Sequence, residues 1–412
     1  MCKLPTRSSF AAAWLLALGC VALLRAADPP AVTETIEVRT DAPQGVVCPT
    51  PITADDVRPH IEFLASPELR GRKGEDALAA AGYVRDRFQQ VGLKPLFPDG
   101  DYLQPIPGVL GDNPATRIIG RNVGGWIEGS DPDLKDEIII LSAHYDHLGV
   151  KDGHMYTGAD DNASGTAMLL ESARQVSKLE SRPRRSIAFV AFDLEEHLLW
   201  GSRWFAAHAP WELVQVKLFI TADMIGRSLG NLPLPTVFVL GSEHGTRLRE
   251  MLGDVGTPQG LEVARLGIDL IGTRSDYGPF RDEKVPFLFF STGEHPDYHT
   301  PRDTADRIDY DKAARVSNLI LAVARHAADV DQPPTWVAQP ETDIGEAETV
   351  HRITQLLLDS DQSGEIKLGG VQKFFVSQVN LQMQAILERG VLTKEERETL
   401  AKAAQTLLLS VF

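Results

Sequence analysis

The chain has 412 residues, 43% of them hydrophobic and 24% charged. That is a globular composition, and it excludes collagen, wholesale disorder and a multi-span membrane protein. With 57 Asp+Glu against 41 Lys+Arg the net charge is −16, which argues against nucleic acid or an anionic lipid surface as a partner.

Lys3 and Arg7 precede an apolar run from Ala11 to Leu24 and a small-residue stretch at Arg25-Ala26-Ala27. This order of charged, apolar and small segments predicts a secretory signal over residues 1–26. The run falls short of the ~20 residues that span a bilayer, so no stable membrane insertion is expected. A lipobox ending at Cys20 is the competing reading. Cys2 and Cys20 would leave with the signal, and Cys48 would then have no intrachain disulfide partner. An exported protein, periplasmic or secreted, with a core large enough to do without disulfides is expected. Residues 27–51, rich in Pro and Thr, are expected to be a disordered leader.

Apolar residues at mixed i+3/i+4 spacing predict a helix over Asp76–Val91, stopped by Gly92. Runs of strand length follow at Glu137–Ala143, Ser186–Phe192, Leu218–Ala222, Thr236–Leu240 and Val285–Ser291. They are apolar almost throughout, as strands buried on both faces are. Helical stretches alternate with them at Ser164–Leu179, Leu198–His208 and Gly245–Val255, and a long helix over Tyr310–Val330 closes the region. The expected class is α/β, an open, mostly parallel (mixed) sheet sandwiched by helices over residues 52–330. The proline-rich stretch 331–342 reads as a linker to a small all-α segment, 343–412.

Polar residues fall just beyond the strand ends. The first strand runs into His144 and Asp146, the second into Glu195 and Glu196, the third into Asp223, and the last leads on to His299. Asp160 lies in the turn GADDNASG. Ligands of open α/β sheets gather outside the carboxyl ends of the strands. Charge there is costly unless paired or metal-bound. Two imidazoles and several carboxylates suit zinc, with cobalt or manganese as alternatives. One carboxylate bridging two ions would help acidify a water, and a neighbouring glutamate that is not a ligand would take its proton.

SAHYDHLG, GADDNASG, FDLEEH, TADMIGR and DYHTPRDT, in that order, resemble the co-catalytic di-zinc aminopeptidases, family twenty-eight of the metallopeptidases. The resemblance covers about 52–328, including LASPELRGR upstream. It implies a zinc-exopeptidase fold and two zinc ions, one on His144 and Asp223 and the other on Glu196 and His299, bridged by Asp160. It implies Glu195 as general base and acid, Asp146 orienting His144, and a cis bond between Asp160 and Asp161. The implied activity is hydrolysis of the N-terminal peptide bond of peptides or proteins. The same family admits carboxypeptidases and dipeptidases, glutaminyl cyclases and non-catalytic transferrin-receptor-like binding proteins. Oligomeric state is not legible.

Tyr277 stands where relatives often carry histidine, and packing is its expected role. His147, His154, His197 and His295 read as structural. Asp303 reads as a cap or as a support behind the ligands. In DSDQSGEIKLGG, Asp359, Asp361, Ser363 and Glu365 match oxygen positions of an EF-hand-like calcium loop, but position 12 is Gly370 rather than glutamate. A helix–turn–helix with an acidic turn is the competing expectation.

Overall fold

The chain is seen in a computed structural model that describes residues 51–108 and 117–410. The expected signal segment, the leader up to residue 50 and Cys48 lie outside the described residues. Helices α1 (Ala54–Leu64) and α2 (Ala77–Gln90) lead into strands β1 (Lys94–Pro95), β2 (Leu103–Pro107) and β3 (Ile118–Ile127). Next come β4 (Ile138–His144), the hairpin β5 (Gly149–Lys151) and β6 (His154–Tyr156), α3 (Gly165–Ser177) and β7 (Ser186–Phe192). The chain continues through α4 (Trp200–Ala207), β8 (Val216–Ala222), β9 (Thr236–Leu240), α5 (Leu248–Asp254) and β10 (Glu262–Leu266). Helix α6 (Tyr277–Asp282), β11 (Phe287–Ser291) and α7 (Tyr310–Asp329) complete the sandwich.

The main sheet has the order β1-β3-β7-β4-β8-β11-β9-β10, with β2 also on β3. Strands β7, β4, β8 and β11 are parallel neighbours, while β3 against β7 and β11 against β9 are antiparallel. Side chains alternate between faces along a strand. Ile139 and Leu141 therefore join the cluster that holds α1, α2, α3 and α7, and Ile138 and Ile140 join the opposite one. Both faces are covered, which is why these strands read as unbroken apolar runs.

Three further helices follow: α8 (Ile344–Ser363), α9 (Gly370–Arg389) and α10 (Lys394–Ser410). Val350, Leu357, Met383, Leu400 and Leu407 belong to the same apolar cluster as Phe219 and Phe287 of the sheet. The stretch expected to be a linker is pinned: Trp336 stacks on His244 at 4.8 Å, and Val337 N–H donates to the His244 carbonyl at 2.9 Å. The all-α segment therefore packs on the α/β sandwich, and the described residues fall within one compact unit.

The calcium-loop expectation is corrected by the course of α8. It remains helical through Asp359, Asp361 and Ser363 and stops only at Gly364, whose φ of 83° caps it. Asp359 accepts from Gln355 Nε2, and Asp361 accepts from Leu368 N–H and Lys373 Nζ. Glu365 follows in the short turn that leads to α9. A helical turn spreads these oxygens along its surface instead of wrapping them around one point.

Candidate active site

His144 ends β4, and the chain passes at once through Asp146 and His147, all three buried. Beyond β7 comes Leu194, at φ 58°, followed by Glu195 and Glu196. Asp223 directly follows β8. His299 lies in the loop after β11, also left-handed at φ 52°. Left-handed backbone at two non-glycine residues is local strain of the kind that clusters at functional sites.

The turn 158–165 supplies the central carboxylate, and here the sequence expectation shifts by one residue. Asp161, not Asp160, faces both histidine clusters. Its Oδ1 is 3.3 Å from His144 Nε2, and its Oδ2 is 3.1 Å from His299 Nε2 and 3.6 Å from His147 Nδ1. Asp160 is turned away: its Oδ1 accepts from Gly226 N–H at 2.6 Å, and its Oδ2 faces His295. The cis bond likewise joins Asp161 to Asn162 rather than Asp160 to Asp161. Asp303 holds the turn by accepting from the N–H groups of both Asp160 and Asp161 at about 3 Å. Gly158 opens the turn at φ 58°, where a Cβ would lie 2.2 Å from the Asp161 carbonyl oxygen.

Two groups of donor atoms share Asp161. One is His144, Asp161 and Asp223; the other is His147, Asp161 and Glu196. His144 Nε2 lies 3.4 Å from Asp223 Oδ1, and His147 Nδ1 lies 2.8 Å from Glu196 Oε1. His299 Nε2 approaches the other Glu196 oxygen at 3.2 Å. His147 was expected to be structural and instead joins the cluster. Its signal was the spacing: two histidines three residues apart, just past the end of a buried strand. His295 lies beside Asp160, and like His154 and His197 it belongs to neither group of donors.

Four of these atoms, His144 Nε2, His147 Nδ1, Glu196 Oε1 and Asp223 Oδ1, are buried without a hydrogen-bond partner. Orphaned polar atoms converging in one place are what a cation site looks like without its cation. The donor set of imidazole and carboxylate fits zinc.

The surroundings tune the charges. The Asp146 carboxylate accepts from the N–H groups of Glu195 and Glu196 and its main-chain carbonyl accepts from His144 Nδ1 at 3.2 Å, so one residue orients a histidine and both glutamates. Burial pushes the Glu195 carboxyl well above the usual range; His144 opposes this, while Asp223, Asp276 and Asp146 add to it. Burial, with Asp161, acts to raise Glu196, but His147 and His299 beside it bring it down to about 2. Burial works against the His144 imidazolium, yet Asp223, Glu195 and their neighbours outweigh it and raise that group.

Arg72, from the LASPELRGR stretch, is fully buried and donates to the carbonyls of Leu64, Tyr145, Thr157 and Gly158. It ties the loops that carry His144 and Asp161 to the first helix. Tyr277 packs as expected, stacked on Phe287, with its hydroxyl donating to the Gly272 carbonyl and accepting from Arg274 N–H. Beside Asp161, Glu195 and Asp223 opens a largely apolar cavity of about 440 Å³.

A sandwiched mixed sheet with a carboxylate-bridged pair of N/O clusters at its carboxyl ends defines the zinc-exopeptidase class of α/β fold. Residues 122–324 match the model of peptidase family M28, and the chain carries a domain of that family. It is 27% identical over 212 residues to aminopeptidase YwaD of Bacillus subtilis, a match covering 49% of this chain and 43% of that one. The chain thus spans less than half the length of this curated relative. The LapA aminopeptidase structure from Legionella pneumophila superposes with a TM-score of 0.55 at 20% identity, covering 68% of this chain and 73% of that one. A glutaminyl cyclase structure from Porphyromonas gingivalis gives 0.53 at 18% identity, over 66% of this chain and 97% of that one.

Proposed function

We propose that the protein is an exported zinc aminopeptidase that hydrolyses the N-terminal peptide bond of peptides. One observation carries the reading: Asp161 is shared by two buried N/O clusters, with Glu195 beside them at a cavity wall. His144 and Asp223 would hold one ion; Glu196, His299 and His147 would hold the other; Asp161 would bridge them. Asp160, the bridge expected from sequence, is engaged elsewhere. What two zinc ions would supply there is Lewis acidity at the scissile carbonyl and a lowered pKa for water. Glu195 takes the proton of the attacking water and delivers it to the departing amine. Its raised affinity for a proton suits the second half of that task, and bound zinc would bring it low enough for the first. Asp146 holds the turn that aims Glu195. The segment Ala11–Leu24 supports export; among the described residues no helix is long and apolar enough to cross a membrane.

The test is hydrolysis of free-amine and N-blocked aminoacyl arylamides by the zinc-loaded protein, beside Glu195→Gln. Cleavage of free-amine substrates alone is expected, with kcat falling about 10²–10⁴-fold in the variant and both zincs retained. Cleavage of blocked substrates, or none with two zincs bound, would overturn the aminopeptidase reading in favour of carboxypeptidase, dipeptidase or cyclase chemistry.

A further inference from the structure

The cavity beside the carboxylates is not closed by the peptidase sandwich. Its near end is lined by Asp161, Glu195 and Asp223, and its far wall by Val350 and Ile353 of α8 with Leu407 and Leu408 of α10. These four residues lie beyond the family match, which stops at residue 324. We propose that α8 and α10 form the closing wall of the substrate chamber and make it selective for a large apolar side chain at the substrate's N-terminal residue. The proposal rests on the aminopeptidase reading and names the substrate class of that same site.

The wall is fixed in place by more than apolar packing. Arg397 of α10 bonds the carboxylates of Asp269 and of buried Glu346. Gln405 Nε2 donates to the Asp269 carbonyl at 2.9 Å. Arg265 of β10 donates to Asp343, the N-cap of α8, at 3.0 Å. Two helices are thereby fastened to the 265–270 segment, whose Leu266 and Leu270 also line the cavity. On α10, Leu400, Ala404 and Leu407 recur at helical spacing and are buried, so a single stripe faces the sandwich. A volume of about 440 Å³ falls in the range of small-ligand sites and exceeds what an alanine side chain fills. Apolar contact on the far wall rewards length and bulk in the occupant.

The experiment uses the full chain with zinc, the 4-nitroanilides of alanine, leucine and phenylalanine, and the filling variants Leu408→Trp and Ile353→Trp. The preference for phenylalanine over alanine in kcat/KM should fall about 10–100-fold, through KM. Zinc content and Tm check that each variant is folded. Leu408→Ala, which deepens the chamber, should raise kcat/KM for a naphthylalanine anilide, and keeps the test open if tryptophan is not tolerated. An unchanged preference in folded, zinc-loaded variants would overturn the proposal. If the wild type cleaves no arylamide, it is the aminopeptidase reading that fails. The neutral apolar probe N-phenyl-1-naphthylamine then decides the wall: binding at least tenfold weaker in the filling variants supports it, and equal binding overturns it.

Discussion

The Nδ1 atom of His147, on a fully buried ring, lies 2.8 Å from Oε1 of Glu196, while the more exposed His299 reaches the other oxygen of that carboxylate at 3.2 Å. Two imidazoles thus converge on one glutamate. With Asp161 they would offer the second of two ions an N₂O₂ set, against the one imidazole and two carboxylates that the first would have.

His147→Ala is therefore expected to weaken the second zinc about 10–100-fold and leave the first unchanged, a loss of the size found when groups supporting a metal site are removed. Zinc per chain, measured after dialysis against graded chelator, checks it. Two ions released at the wild-type midpoint would return His147 to a structural role.

The neighbouring aspartates should separate cleanly. Asp161→Asn is expected to lose both ions under mild chelation and at least about 100-fold in kcat/KM, beyond the usual effect of supporting residues. Asp160→Asn should keep both ions and lower stability by about 1–3 kcal/mol through its weakened bond to Gly226. Metal analysis with urea unfolding of each variant distinguishes them, and the reverse pattern would restore Asp160 as the bridge.

Asp193 makes the metal-free protein sensitive to pH. Burial, and then the charge of Asp146, push its carboxyl up to about 7. The folded chain thus prefers a proton that the unfolded chain releases near pH 4. The stability from this group is complete below about pH 4, falls as pH rises towards 7, and is level above. Asp193→Asn should reduce that fall by up to one proton, ~1.4 kcal/mol per pH unit. Urea unfolding of chelated protein across this window measures the slope, and an unchanged slope would remove Asp193 as its source.

Arg72→Lys keeps the charge but not the fork that reaches four carbonyls. A loss of about 2–4 kcal/mol in stability is expected, from buried acceptors left without donors. Denaturant unfolding with zinc present reads it; a loss under about 1 kcal/mol would mean that the lysine finds equivalent partners.

Strands β4, β7, β8, β9 and β11 were legible because helices cover both faces and leave few polar residues to break the run. Strand β3 was not, since Gly120, Gly124 and Gly125 interrupt its pattern. A Cβ on Gly124 would meet Leu96 and Phe97, and one on Gly125 would meet Leu93, so the two glycines make room for packing on opposite faces of the strand. Half-buried β10 carries Glu262 and Arg265 and was missed for want of apolar character. At the site, motif order pointed to His144, Glu196, Asp223 and His299, whose donor atoms are brought together here. It did not separate Asp160 from Asp161. Identical neighbours differ only in which way the turn aims them, and Gly226 and Asp303, far away in sequence, decide that. The acidic turn after residue 358 misled for a similar reason: Leu357 and Ser360 are buried and carry the helix through a loop-like composition.

Strand β10 ends the sheet order, with β9 on one side alone, and α8 packs against it. An uncovered outer strand of this kind invites a second chain to continue the sheet. Removing residues 331–412 would expose that strand together with the apolar faces of Phe219 and Phe287. Truncation is therefore expected to yield an aggregating chain rather than a minimal peptidase, which makes the helices a solubility cap as well as part of the fold.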